Sequence, residues 1–381
     1  MKILLLSAYD ADSHQYWRKG LVANFPQHQW QVLTLAARYF SWRVRGNSLS
    51  WAFGEQAAIL KQDYDLIIAT SMTDLSALRG FIPSLASIPT LVYFHENQFA
   101  YPTSTKARTN VEPQILNLYT ALAADQLVFN SNYNLQTLLT GAEQLLNKLP
   151  DQVPTNIIAL IKAKATVLPV PLIESATGNQ LATAAISTVW DQYGNLNIQQ
   201  RPLLIAWAAR WEYDKGPVKL LAIVKELVAR RVNFRLCIMG QKFRQVPSEF
   251  ATLQSEYAEY IDQFGYTESR AEYQRWLAQA DIFLSTAIHE FQGLSVLEAF
   301  NVNCVPALPN RLVYPELFAS QYLYAADLDL ATEARAACQL MIEQWEMLKN
   351  ANYFPAELDL SWKKLKPSYQ KVIDQLLIAR H

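Results

Sequence analysis

Eleven short apolar runs, separated by helix-like stretches and falling into two series, constrain the fold of this chain more than any other feature. The first series is residues 2–8, 30–35, 65–70, 89–94, 126–130 and 165–170. The second is residues 202–209, 234–239, 260–264, 281–286 and 304–308. Runs of this length alternating with helices predict parallel strands covered on both faces, because each crossover lays a helix over the sheet. The alternation lapses after residue 170, and residues 177–183 and 194–200 are polar and small. A chain of 381 residues also exceeds what one core usually holds. The pattern therefore predicts two doubly wound α/β domains, residues 1–175 and 202–360, joined by a linker at 176–201. A last amphipathic helix lies within 361–381, with Trp362, Leu365, Tyr369, Val372 and Leu376 on one side.

In sheets of this kind ligands bind beyond the carboxyl ends of the strands, so chemistry is sought there. After the run at 281–286 comes His289-Glu290-Phe291-Gln292-Gly293-Leu294-Ser295-Val296-Leu297-Glu298. Gly293 allows a phosphate close to the backbone, and the amides of Leu294 and Ser295 open a helix whose dipole favours anions. Glu298 lies about five residues inside that helix, roughly 7 Å along its axis, where a carboxylate reaches a ribose diol. Glu290, in the loop, is left for the far end of the ligand. After the run at 202–209 stand Arg210 and Lys215, with Gly216-Pro217 starting the next helix. A planar fork and a flexible ammonium five residues apart suit a diphosphate. A solvated turn pairing with Glu212 and Asp214 is the alternative. Gly240 and Tyr266 end the next two strands and would border a nucleotide base.

The first half has its densest polar cluster at Tyr93-Phe94-His95-Glu96-Asn97-Gln98, again at a strand end. Such groups are costly to bury unless hydrogen-bonded, so they serve either a polyhydroxylated ligand or a closed loop network. Asn130 and Ser131 follow the next strand, with Ser131 or Asn132 capping a helix and Asn134 in a cap or turn. Residues 38–51 interleave Arg38, Arg43 and Arg45 with Tyr39, Phe40, Trp42 and Trp51. These either pair phosphates and stack bases, or pack aromatics on the sheet beneath arginine stems.

Composition sets limits. With 51% apolar and 18% charged residues and a formal net charge of -1, the chain reads as an ordinary globular protein without the bulk positive field that gathers nucleic acid. Its start meets Asp10 and Asp12 too soon for a signal peptide, and no run is long enough to span a bilayer, so a cytoplasmic location is expected. Cys237, Cys304 and Cys338 are odd in number and scattered, which predicts reduced core thiols.

The paired acids Glu290 and Glu298, with Phe291 and Gly293 between them, resemble the donor site of retaining GT-B glycosyltransferases, and Arg210 and Lys215 match the cations of that family. Ser13-His14, the SWRVR segment at 41–45, YFHENQFAYP at 93–102, LVFNS at 127–131 and the HEFQGLSVLEAF segment together resemble the tRNA-queuosine α-mannosyltransferase family over nearly the whole chain. That resemblance implies a GT-B fold whose C-terminal helix crosses back to the first domain. It implies GDP-mannose as donor, queuosine in tRNA as acceptor and retention at the anomeric carbon, with no metal or other cofactor required. Arg210 and Lys215 would hold the leaving diphosphate, Glu290 the sugar and Glu298 the ribose, with His95 beside the donor sugar or the acceptor. His14, Arg43, Arg45, Glu96, Asn97, Asn130 and Ser131 would lie on the acceptor side. The family's glycine-rich first loop is Asp10-Ala11-Asp12 here, a departure. A transferase acting on a glycan, lipid or small molecule, and a nucleotide-sugar or RNA-binding protein without turnover, are the alternative readings.

Overall fold

The computed structural model describes residues 1–101, 111–173, 187–194, 196–242, 245–327, 329–350 and 358–378. It divides into two compact units, Met1–Ile173 with Leu360–His381, and Glu174–Asp359. In the first unit, strands β1 (Lys2–Asp10), β2 (Gln29–Ala36), β3 (Leu66–Thr70), β4 (Thr90–Phe94), β5 (Gln126–Phe129) and β6 (Ala165–Val167) form one sheet in the order β2-β1-β3-β4-β5-β6. Every pairing is parallel. All residues of β3 and β4 are buried, the consequence of helices on both faces of the sheet.

The second unit repeats the plan with β7 (Leu203–Ala208), β8 (Phe234–Met239), β9 (Ile261–Gly265), β10 (Ile282–Leu284), β11 (Val305–Pro309) and β12 (Leu323–Tyr324). Its order is β12-β11-β10-β7-β8-β9, so the chain winds outward from β7 through β8 and β9, then returns to β10 on the other side. The point where this order reverses, between β7 and β10, opens a crevice at the strands' carboxyl ends. The sequence pattern predicts five strands here. The sixth, β12, is only two residues long and completes the edge against β11.

Residues 176–186 of the expected linker lie outside the described residues. The later part of that stretch is folded: Val189–Tyr193 forms a 3-10 turn capped reciprocally by Thr188 and Asp191. Trp190 is buried there and donates its indole N–H to Asp262 at 2.7 Å. Polar composition hid this anchor, which belongs to the second unit.

The chain returns to the first unit through a parallel bridge between Leu172 and Ser361 and ends in the helix Trp362–Ile378. Residues 379–381 lie outside the described residues. Gly20 receives the Trp362 ring, since a Cβ at residue 20 would lie 2.6 Å from the indole nitrogen. The buried Tyr369 hydroxyl accepts from Trp17 Nε1 at 3.1 Å and donates to the Pro169 carbonyl at 3.0 Å. All three cysteines are buried and free. Among the described residues no helix is long and apolar enough to cross a membrane.

Candidate active site

At the reversal point of the second unit, the loops leaving β7 and β10 are joined. Gly216 has φ of 66°, and a Cβ there would meet the Thr286 carbonyl oxygen at 2.1 Å, so glycine is what allows the close crossing. Thr286 Oγ1 donates to the Lys215 carbonyl at 2.7 Å. The amides of Ile288 and His289 both donate to the Asp214 carbonyl, at 2.9 and 3.1 Å.

This junction brings Lys215 and Glu290 together. Lys215 Nζ donates to Glu290 Oε2 at 3.2 Å and to the His289 carbonyl at 2.9 Å, and lies 3.3 Å from Asp214 Oδ2. Glu290 Oε1 accepts from the amides of Phe291 and Gln292, at 3.1 and 3.4 Å. Burial pushes the Glu290 carboxyl up, but the Lys215 charge and hydrogen bond outweigh it and hold the group down at about 2. Lys215 is likewise opposed by burial, yet Glu290 and Asp214 raise it above the usual lysine value. Burial and then the Lys215 charge lower His289 to about 4. Arg210 pairs with Glu212 and lies 3.4 Å from Asp214. The turn pairing that the sequence offered as an alternative is thus present. Two cations, Arg210 and Lys215, rest among three carboxylates, those of Glu212, Asp214 and Glu290.

Lys215, Glu290, Ser295 and Tyr314 line one small pocket. Gly293, at φ 76°, is the N-cap of the helix Leu294–Phe300, and as glycine it offers no side chain to cap the first amides. Glu298 is buried in that helix. Tyr273 donates its hydroxyl to Glu298 Oε2 at 3.1 Å, and Arg270 pairs with Oε1 while lying 4.8 Å over the Tyr273 ring. Sequence reasoning passed over both residues. Their three-residue spacing on the helix Arg270–Gln279 was the available signal. Gly240 marks a close approach, since a Cβ there would meet the Ala209 carbonyl oxygen at 1.8 Å. Tyr266, after β9, is 72% exposed.

In the first unit, His14 on the helix Asp12–Asn24 and His95 beyond β4 stack at 4.3 Å with 23° between their planes. Both are buried, and His14 Nδ1 and His95 Nε2 have no hydrogen-bond partner among the described residues. Burial lowers His14 to about 4 against the pull of Asp10, and burial followed by the neighbouring His14 holds His95 well below the usual histidine value. Asp10, in the departure from the glycine-rich loop, is taken by Arg18 in a forked pair at 2.6 and 3.1 Å.

Asn97, Asn130 and Ser131 are spent within the fold. Asn97 Nδ2 donates to Asn134 Oδ1 at 2.9 Å, and its Oδ1 accepts from the amides of Phe99 and Ala100. Asn134 Nδ2 donates to the Phe94 carbonyl at 2.9 Å and to Asn130 Oδ1 at 2.8 Å, while Asn130 donates to the His95 carbonyl at 2.9 Å. Ser131 Oγ caps the helix Asn132–Leu146 by accepting from Asn134 N. These groups fix the backbone that carries His95, so any effect on a ligand passes through that placement. Glu96 is half-buried at the same strand end. Arg45 is 3.2 Å from Asp74 and 3.5 Å from Glu112, and Arg43 reaches the Ala36 carbonyl at 3.4 Å.

Comparison with known proteins agrees with this architecture. Residues 2–172 match the family described as tRNA-queuosine alpha-mannosyltransferase N-terminal, and residues 189–353 match Glycosyl transferases group 1. The tRNA-queuosine alpha-mannosyltransferase of Drosophila melanogaster is 29% identical over 377 residues, covering 98% of this chain and 96% of its own. Sucrose-phosphate synthase from Thermosynechococcus elongatus superposes with a TM-score of 0.65 at 14% identity, over 100% of each chain. Anabaena HepE in complex with UDP gives 0.60 at 12% identity, over 98% of this chain and 100% of that one. Two doubly wound units, with cations and acids at the reversal point of the second, define a glycosyltransferase of the GT-B fold. Within that class, the chain belongs to the tRNA-queuosine α-mannosyltransferase family.

Proposed function

We propose that this enzyme transfers mannose from GDP-mannose to queuosine in tRNA, with retention at the anomeric carbon, in the cytoplasm. The Lys215–Glu290 pair at the β7/β10 reversal point carries the reading, because it puts a cation for a diphosphate beside an acid for sugar hydroxyls. The identities of donor and acceptor are drawn from the family and from the relative's name. As the bond from the sugar's anomeric carbon to the diphosphate breaks, its electron pair passes to the leaving oxygen. Arg210, Lys215 and the amides near Gly293 and Leu294 would stabilise that charge, which is largest in the transition state. Glu290 would hold the sugar and Glu298 the ribose, with Gly240 and Tyr266 bordering the base. His95, buried with one ring nitrogen that has no partner among the described residues, would contact sugar or acceptor, held by His14 and the Asn97–Asn130–Asn134 network. Arg43, Arg45 and Glu96 would face the acceptor.

The acceptor oxygen bonds to the anomeric carbon and its proton leaves. On one face, the departing phosphate takes that proton; by the alternative route, a covalent sugar intermediate forms first. The test is transfer of labelled mannose from GDP-mannose to tRNA isolated with and without queuosine. Label confined to the queuosine-containing pool is expected. Equal labelling of both pools, or labelling only of a glycan or lipid, would replace this acceptor with another.

A further inference from the structure

The helix Phe40–Ala52 follows β2 at the carboxyl-end side of the parallel sheet, the side on which His14 follows β1 and His95 follows β4. Its N-cap, Tyr39, has φ of 56° and ψ of 53°, a left-handed conformation uncommon for a bulky residue. The Tyr39 side chain is 69% exposed, with the Arg38 guanidinium 5.6 Å from its ring. One turn on, Trp42 is 52% exposed although it lies against its own helix. Gly46 makes that possible, because a Cβ there would be 2.4 Å from the indole. The indole thus lies against the helix at Gly46 while about half of the residue stays exposed. Three arginines stand among these rings; of them Arg45 pairs with the buried Asp74 and with Glu112.

We propose that Tyr39 and Trp42 form a stacking platform for unpaired nucleotides of the RNA acceptor, with Arg38, Arg43 and Arg45 meeting the phosphates beside them. This rests on the RNA-acceptor reading above and says where and how the polynucleotide is held. Every base offers a π-face, so fixed aromatic rings grip a strand whatever its sequence, and interspersed cations supply the salt-dependent part. Charge complementarity favours RNA here. The apolar residues exposed farther along, Leu49 on the helix and Phe53 at its C-cap, come after the arginines in the sequence.

The experiment measures binding of queuosine-containing tRNA across a salt series, together with nucleotide-sugar binding and thermal stability. Tyr39→Ala and Trp42→Ala are each expected to weaken tRNA binding about tenfold, leaving GDP-mannose binding unchanged. Trp42→Phe should recover most of the loss. Arg38→Ala should reduce the logarithmic salt slope by about 0.7 to 0.9. Phe53→Ser serves as the control and should bind tRNA like the wild type. Should Trp42→Ala unfold, the exposed Tyr39 variant carries the test alone. Wild-type tRNA affinity in both alanine variants, in an enzyme that still labels tRNA, would remove the platform and leave the acceptor reading intact. A wild-type enzyme that neither binds nor labels tRNA would remove both. Altered self-association in Trp42→Ala and Phe53→Ser, without a change in RNA affinity, would make the helix a protein interface instead.

Discussion

The imidazole rings of His14 and His95 stack at 4.3 Å in the interior of the first unit, each with a ring nitrogen that no described residue satisfies. Their folded pKa values are depressed by burial, to about 4 for His14, while the unfolded chain takes up protons near 6.5. The stability these residues contribute is therefore fully present above about pH 6.5 and is lost as pH falls toward 4. His289, lowered to about 4, acts in the same window. Denaturant unfolding at several pH values should show stability dropping between these limits. His14→Phe keeps the stack and removes one titration, so the slope should fall by up to about 1.4 kcal/mol per pH unit. An unchanged slope would mean that water or Asp10 lets His14 protonate within the fold.

Lys215 and Arg210 are expected to matter through the transition state. Replacing either with Ala should lower kcat by about 10² or more while donor binding suffers less. Lys215→Ala also leaves the half-buried Glu290 carboxylate without its cation, so it should cost about 1 to 3 kcal/mol of stability. Adding Glu290→Gln should restore much of that stability without restoring turnover. Wild-type kcat with only a raised KM would show that these cations bind substrate and transition state alike.

Turnover is expected to survive excess chelator. Arg210, Lys215 and the helix amides would supply the charge stabilisation that a divalent ion supplies elsewhere, and Asp214 and Glu290 are already engaged with Lys215. Activity lost in chelator and restored by Mg²⁺ or Mn²⁺ would overturn this assignment of the diphosphate site.

The sheets were legible because their strands are apolar on both faces: β3, β4, β7 and β11 are buried throughout, and such runs stand out from helical periodicity. β12 escaped because two residues carry no period. The second unit's loops were legible because their charges follow strand ends at short spacing. The amides near His95 were harder to read, since their partners lie far along the chain. In the buried network Asn97 bonds to Asn134 across 37 residues and Asn130 to the His95 carbonyl across 35. Asn134, which the sequence suggests as a cap or turn residue, is the hub that joins them. Arg270 and Tyr273 were missed because their helical spacing names no partner: folding brings them to Glu298, 28 and 25 residues away.

The C-terminal helix yields the last prediction. Tyr369 puts its hydroxyl within 3.3 Å of the Tyr93 hydroxyl, and Tyr93 stacks on Trp17 at 4.3 Å and lies 4.6 Å from His95. The helix thus contacts, through Tyr369, the residues Trp17 and Tyr93 that pack against His95. Tyr369→Phe keeps the ring but removes the acceptor for Trp17 Nε1 and the donor to Pro169, leaving buried polar groups unpaired. It should cost about 1 to 3 kcal/mol of stability. Because Tyr93 still donates to the Leu168 carbonyl at 2.8 Å, the ring beside His95 should stay in place and kcat should change less than about threefold. Removing the helix after Leu360 exposes Trp17, Trp362 being lost with it, and should abolish folding of the first unit. Unfolding curves and kcat for the two variants test the claim together. A stable, active truncation would mean that the first unit's core closes without the helix.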